Sequence, residues 1–189
     1  MSAMKHPWKI AIFLLISTLS LALSKQFWDF ELIQVDYYTS NPEVADIKLN
    51  AQRIDRGRYG ASGFIDLKID LYEDDVRIQF LLQRSQFRSG PFTTMPMKIE
   101  NETLSTAVNV FYRNMIMEEA QKCCENAPYF NDTFKPPLTK RLVTLNQCSV
   151  SLEKLPNYMM DGYYITRTSV YGRDWYGYLE TLAYVESAN

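Results

Sequence analysis

Between residues 62 and 84 the chain alternates with a period of two. Ile65, Leu67, Ile69 and Leu71 are separated by Asp66, Lys68 and Asp70; Glu73, Asp74 and Asp75 interrupt; then Val76, Ile78, Phe80 and Leu82 alternate with Arg77, Gln79 and Gln83. Successive side chains of a strand point to opposite faces, so this pattern predicts two strands with one apolar face each, joined as a hairpin by the acidic run. A second, more aromatic pair runs over 163–171 and 175–185, flanking the turn Tyr171-Gly172-Arg173-Asp174, and again predicts a hairpin. Weaker alternation predicts strands over 27–37, 47–54 and 142–152. About seven strands at this spacing imply a mainly β fold, a two-sheet sandwich or a cup.

One segment departs from the period of two. Leu104, Val108, Tyr112 and Met115 recur at helical spacing, with Ala107, Phe111 and Ile116 beside them and no glycine or proline between 104 and 123. The spacing predicts one amphipathic helix over 104–123, with Thr103 or Asn101 as its cap. A proline-containing loop, APYFNDTFKPPL, follows at 127–138.

The first 24 residues read differently from the rest. Lys5 and Lys9 precede an apolar run from Ile10 to Leu23, and Ala22 and Ser24 stand at cleavage-site spacing, which predicts a secretory signal peptide over 1–24. Charges recur too often later for a run of about 18 apolar residues, so a secreted, extracellular product is expected, forming one domain over 25–189. Losing Lys5 and Lys9 and no acid takes 20 basic residues to 18 against 22 acidic ones, and the net charge from −2 to −4. A nucleic-acid partner would need clustered Lys and Arg, so none is expected. Membrane contact, if any, is expected to be transient. The sequons at Asn101 and Asn131 are candidate glycosylation sites.

Cys123, Cys124 and Cys148 make an odd set in an oxidising compartment. A bond between adjacent Cys123 and Cys124 would strain the intervening peptide, so Cys148 is expected to pair with one of the two. No CxxC motif points to a redox or zinc site, and no metal or cofactor is expected.

The residue inventory restricts catalysis. His6, the one histidine, lies in the leader, so the mature chain has none for a Ser-His, Cys-His or His-metal mechanism. Nucleophile elbows, dinucleotide turns and P-loops are absent, and the acidic turn lacks the ligand spacing of an EF-hand loop. Asp66 and Asp70 are expected to share one face of a strand, as a solvated face and not as a catalytic pair. An enzyme is not expected.

A sharper signal comes from methionine and tyrosine. All six methionines of the mature chain fall in close pairs, Met95 with Met97, Met115 with Met117 and Met159 with Met160, and seven of thirteen tyrosines follow Leu155. Methionine adapts to apolar partners of variable shape, and tyrosine offers a greasy ring with a polar tip, which suits a cavity mouth. The same residues also serve as ordinary gap-fillers and cross-strand pairs in β proteins.

LPNYMMDGYYITRTSVYGRDWYGYLETLAYVE, at 155–186, resembles the C-terminal part of the ganglioside-activator lipid-binding family. The helical segment with a cysteine at its end, the proline-rich loop and Cys148 ahead of Leu155-Pro156 follow that family's order. Similarity is closer still to the insect chemosensory CheA/CheB-type group, distantly related to ganglioside activators. It is carried by Asn41-Pro42, Gly60, Gly63, Ile65-Asp66-Leu67, Asp70-Leu71, Tyr112, Pro136, Cys148, Pro156 and Gly162-Tyr163-Tyr164. The resemblance implies a ganglioside-activator-like β-cup with one helix, secretion, no catalysis, and the carrying or presenting of a hydrophobic or lipid-like ligand in pheromone or taste detection. Met115, Tyr158, Met159, Met160, Tyr163 and Trp175 are then the expected cavity or rim residues, with Gly162 restarting the strand. Two other readings remain: an interaction module that modulates a sensory receptor or ion channel through outward tyrosines such as Tyr176 and Tyr178, and a glycolipid-presenting cofactor of a hydrolase.

Overall fold

The computed structural model describes residues 27–55, 58–149 and 155–187. The leader at 1–24 and the end of the strand expected over 142–152 lie wholly or partly outside them. Nine strands, β1 (Trp28–Thr39), β2 (Ala45–Asp55), β3 (Arg58–Leu67), β4 (Val76–Ser85), β5 (Thr93–Thr103), β6 (Cys124–Glu125), β7 (Arg141–Cys148), β8 (Gly162–Gly172) and β9 (Tyr176–Ser187), form among the described residues. They make a five-stranded sheet in the order β1-β9-β8-β4-β5 and a four-stranded sheet in the order β2-β3-β7-β6, both antiparallel. The fold is mainly β, with nine strands where about seven are expected.

The surplus comes from the two-residue β6 and from β5. Met95, Met97 and Ile99 alternate in β5, but Pro96 between them argues against a strand, since proline donates no ladder hydrogen bond. β5 escapes that objection because it is the edge strand and Pro96 sits where the β4–β5 register shifts, between Leu81/Lys98 and Gln83/Thr94.

The C-terminal hairpin forms as expected, with β8 and β9 in continuous register from Gly162/Val185 to Tyr171/Tyr176. At its turn the Gly172 N–H donates to the Trp175 carbonyl at 2.8 Å, and a Cβ on Gly172 would fall inside the Trp175 ring. Only glycine lets that indole fold back over the turn.

The hairpin expected over 62–84 does not form. β3 pairs with β2 and β7 in one sheet, while β4 pairs with β5 and β8 in the other. The intervening segment crosses between sheets, and backbone hydrogen bonds exchanged by Leu71 and Leu138, both 2.9 Å, hold it. Leu71 is buried in the core, and Asp70 Oδ1 accepts from the Lys140 N–H at 2.7 Å. Asp70 therefore lies beyond the strand and does not share its face with Asp66. Alternation identifies a strand and its apolar side; it carries no information about which sheet receives it when both sheets face one interior.

The helix spans 104–123 (α1). It opens with an α-turn over Leu104–Thr106, continues with wider π-helical spacing over Ala107–Ile116, and closes with α-helix over Met117–Cys123. Thr103 caps it, its Oγ1 accepting from the Thr106 N–H at 3.4 Å, and Glu73 Oε2 accepts from the Ser105 N–H at 2.9 Å. The acidic run expected as a hairpin turn thus holds the helix start.

Two core clusters follow from this arrangement. Trp28, Phe80, Leu82, Tyr164 and Val185 form the first, joined by Phe30, Met95, Met97, Ile99, Phe111, Leu155 and Met159. Leu71, Val76, Leu104, Val108 and Phe134 form the second, with Tyr112, Phe130, Val170 and Trp175 against it. Leu104 and Val108 of α1 belong to the second cluster, and Phe111 of α1 meets Phe80 of the first at 4.4 Å between ring centroids.

Candidate binding site between and at the end of the sheets

Outside the two core clusters the interior is differently filled. Along one rung of the five-stranded sheet, in register, stand Tyr37, Leu179, Thr168 and Phe80. Phe80 is 8% exposed and Tyr37 40%, with Leu179 and Thr168 between them half-buried. The next rung, Val35, Thr181, Thr166 and Leu82, repeats the gradient, and the Thr166 and Thr181 hydroxyls meet at 2.6 Å. On the four-stranded sheet Ile47, Ile65 and Val143 form a rung, with Leu145 further along, on the face that also buries Ala45 and Leu49. Val35, Leu179, Ile47, Ile65, Val143 and Leu145 stay half-buried and join neither core cluster. Apolar side chains aligned on an interior face without full cover are what a hydrophobic binding surface requires.

The segment 155–161 sits at one end of β8. Leu155 and Met159 turn inward onto the first core cluster, while Tyr158, 71% exposed, and Met160, 43% exposed, turn outward. The loop is pinned where the Trp28 indole N–H donates to the Pro156 carbonyl at 2.8 Å and the Tyr164 hydroxyl to the Met160 carbonyl, also 2.8 Å. Burial raises the Tyr164 pKa, opposed by the nearby positive charge of Arg84, so the hydroxyl remains a donor. Gly162 begins β8 at φ +142°, where a Cβ would meet the Ser85 carbonyl oxygen at 2.5 Å.

Tyr158 and Met160 line a cleft of about 410 Å³ with Arg84, Gln86, Asp161, Gly162, Tyr184 and Ser187. Of the other expected rim residues, Tyr163 lies on the outer face against Tyr184, ring centroids 5.0 Å apart, beside this cleft. Met115 is half-buried on α1 and does not line it. Trp175 lies at the other end of β8, packed on the second cluster, the length of a strand or roughly 30 Å away. β8 runs the full height of the sheet, so residues close in sequence on either side of it are far apart in space. Tyr184 is one of the seven tyrosines after Leu155, whereas Arg84, Gln86, Asp161 and Ser187 are not singled out by sequence; the visible signal is Arg84, a charge following Phe80 and Leu82 at an apolar position of the alternation.

The outer face of the same sheet carries tyrosines in contact. Tyr38 stacks on Tyr178 at 5.9 Å, Tyr171 on Tyr176 at 5.0 Å, and Tyr176 adjoins Tyr178 at 6.0 Å. The Arg167 guanidinium lies 4.3 Å from the Tyr178 ring centre, with its Nε 2.7 Å from Glu180 Oε2.

The disulfide joins Cys123 to Cys148, tying the end of α1 to β7. Cys124 is the free thiol, its Sγ 3.2 Å from Cys148 Sγ, and burial raises its pKa. The three sulfurs lie within 4.8 Å of one another, but with two joined a single thiol remains, too few ligands for a metal centre. Asn101 and Asn131 of the two sequons are both exposed. Among the described residues no helix is long and apolar enough to cross a membrane. No protein-family model matches the chain, and no curated protein is significantly similar to it.

Proposed function

We propose that this protein is a secreted, non-catalytic carrier that holds a hydrophobic or lipid-like ligand between its sheets, in the manner of a ganglioside-activator-like β-cup. The observation that carries this reading is the set of interior-facing apolar residues, Val35, Leu179, Ile47, Ile65, Val143 and Leu145, that stay half-buried outside both core clusters. Covering that surface with hydrocarbon gains about 25 cal/mol per Å² and needs no directional chemistry. The resemblance to the CheA/CheB-type group extends the proposal to chemosensation, with the ligand carried or presented to a sensory receptor or channel. Presentation of a glycolipid to a hydrolase uses the same cup and differs only in partner.

The test is native mass spectrometry of the full chain expressed in insect cells, before and after organic extraction. A discrete, extractable mass of lipid size is expected. A ligand-free mass that persists after incubation with long-chain hydrocarbons and lipids would reject the carrier reading.

A second reading has its own support. The contiguous tyrosines Tyr38, Tyr171, Tyr176 and Tyr178 on the outer face suit an extracellular module that acts on a receptor or channel by surface contact. A ligand-free result in the first experiment would favour it.

A further inference from the structure

The cleft at the start of β8 holds a guanidinium without a counter-charge. Arg84 occupies an interior-facing position of β4, in register with the buried Tyr164. Its Nη2 donates to the Asp161 carbonyl at 2.6 Å, and the guanidinium lies against the Tyr164 hydroxyl. Among the described residues no carboxylate forms an ion pair with it. Asp161, the carboxylate that lines the cleft, is committed elsewhere, its Oδ1 accepting from Ser187 N–H at 2.8 Å and Ser187 Oγ at 2.7 Å.

A partly desolvated charge with no carboxylate paired to it is costly, and an incoming anion relieves that cost. Tyr158, Met160 and Tyr184 give the same cleft apolar walls, and its size suits a small ligand or the head of a larger one. One cleft thus offers a cation and hydrocarbon-compatible surfaces side by side.

We propose that Arg84 recognises the anionic headgroup, carboxylate or phosphate, of an amphiphile whose carbons next to the headgroup lie against Tyr158, Met160 and Tyr184; this rests on the lipid-carrier reading above, in which the remaining hydrocarbon lies between the sheets. Charge-assisted hydrogen bonds from a planar guanidinium match both oxyanions. Neutral hydrocarbons of equal length would gain only the apolar part.

The experiment compares oleate with oleyl alcohol on the full chain, by calorimetry below micelle-forming concentrations, with inorganic phosphate as competitor. Oleate is expected to bind about tenfold more tightly than the alcohol, and Arg84→Gln to abolish that preference, with circular dichroism and a melting curve of the variant reporting its fold. Equal binding of the two by the unaltered protein, or a preference that survives Arg84→Gln, overturns the headgroup assignment alone. Binding of neither overturns the carrier reading on which it rests. Displacement of oleate by inorganic phosphate at equal concentration identifies a free-anion site and overturns the amphiphile. Should Arg84→Gln bind neither ligand, Arg84→Lys decides: a preference kept supports the assignment, and one lost overturns it.

Discussion

The two halves of the interior are written in the same alternating code and end differently. Under α1, Val76, Phe80, Leu104 and Val108 are shut off from solvent, whereas Val35, Leu179, Ile65 and Val143, equally apolar and equally inward, are half-buried. What separates them is cover. The helix supplies Leu104, Val108 and Phe111 to one half, and its disulfide to β7 fixes where that cover ends. Inward alternation is therefore a statement about direction, and whether it becomes core or binding surface depends on a third element.

The contrast breaks most visibly by truncation. Leu104 is 1% exposed, and Leu104→Ala is expected to destabilise the fold by about 2–5 kcal/mol in chemical denaturation, through lost burial and a cavity. Leu145→Ala, in the half-covered region, should cost under about 1 kcal/mol and instead weaken uptake of a hydrophobic ligand. Equal costs would mean that the two halves are packed alike.

A somewhat smaller effect is expected from the bridge. Cys148→Ser removes the one partner both other cysteines can reach and should cost roughly 3 kcal/mol for a loop of this length in the chain-entropy model. Cys123→Ser should cost much less, because Cys124 Sγ, 3.2 Å from Cys148 Sγ, takes over the bond. Thiol counting and peptide mapping of the two variants decide this, and two free thiols in the Cys123→Ser protein would contradict it.

The smallest effect concerns the start of the cover. The hydrogen bond from Ser105 lowers the Glu73 pKa below its ordinary value of 4.5 more than desolvation raises it. A carboxyl with a depressed folded pKa adds stability above its unfolded pKa, and that contribution disappears as pH falls through the folded value. Glu73→Gln should therefore lose a little stability at neutral pH and none at pH 2, so its melting curve converges with that of the unaltered protein in acid. A constant difference across that range would exclude the role.

Much of this architecture is legible from residue order. The helix boundaries follow from apolar spacing, and β8 and β9 from alternation around a glycine turn. Partner choice was not legible for β3 and β4, because two strands that share an interior look alike whether they pair with each other or face each other. β5 was hidden by Pro96, whose cost vanishes at an edge, and edges are a property of the assembled sheet. For the candidate site, residues 155–161 stood out by composition, yet inward Met159 and outward Met160 are adjacent and chemically identical. Their separation is set by the Trp28 and Tyr164 bonds that pin the loop. Trp175 was grouped with them because β8 is short in sequence and long in space.

Those pins have a practical side. Trp28 near one limit of the described chain and Ser187 at the other both hold the same loop, through Pro156 and Asp161. Any affinity tag or fusion partner attached through either of these two strand ends emerges beside the cleft. An insertion at Arg173-Asp174, in the turn at the far end of β8, keeps a reporter a whole strand away and leaves the mouth unobstructed.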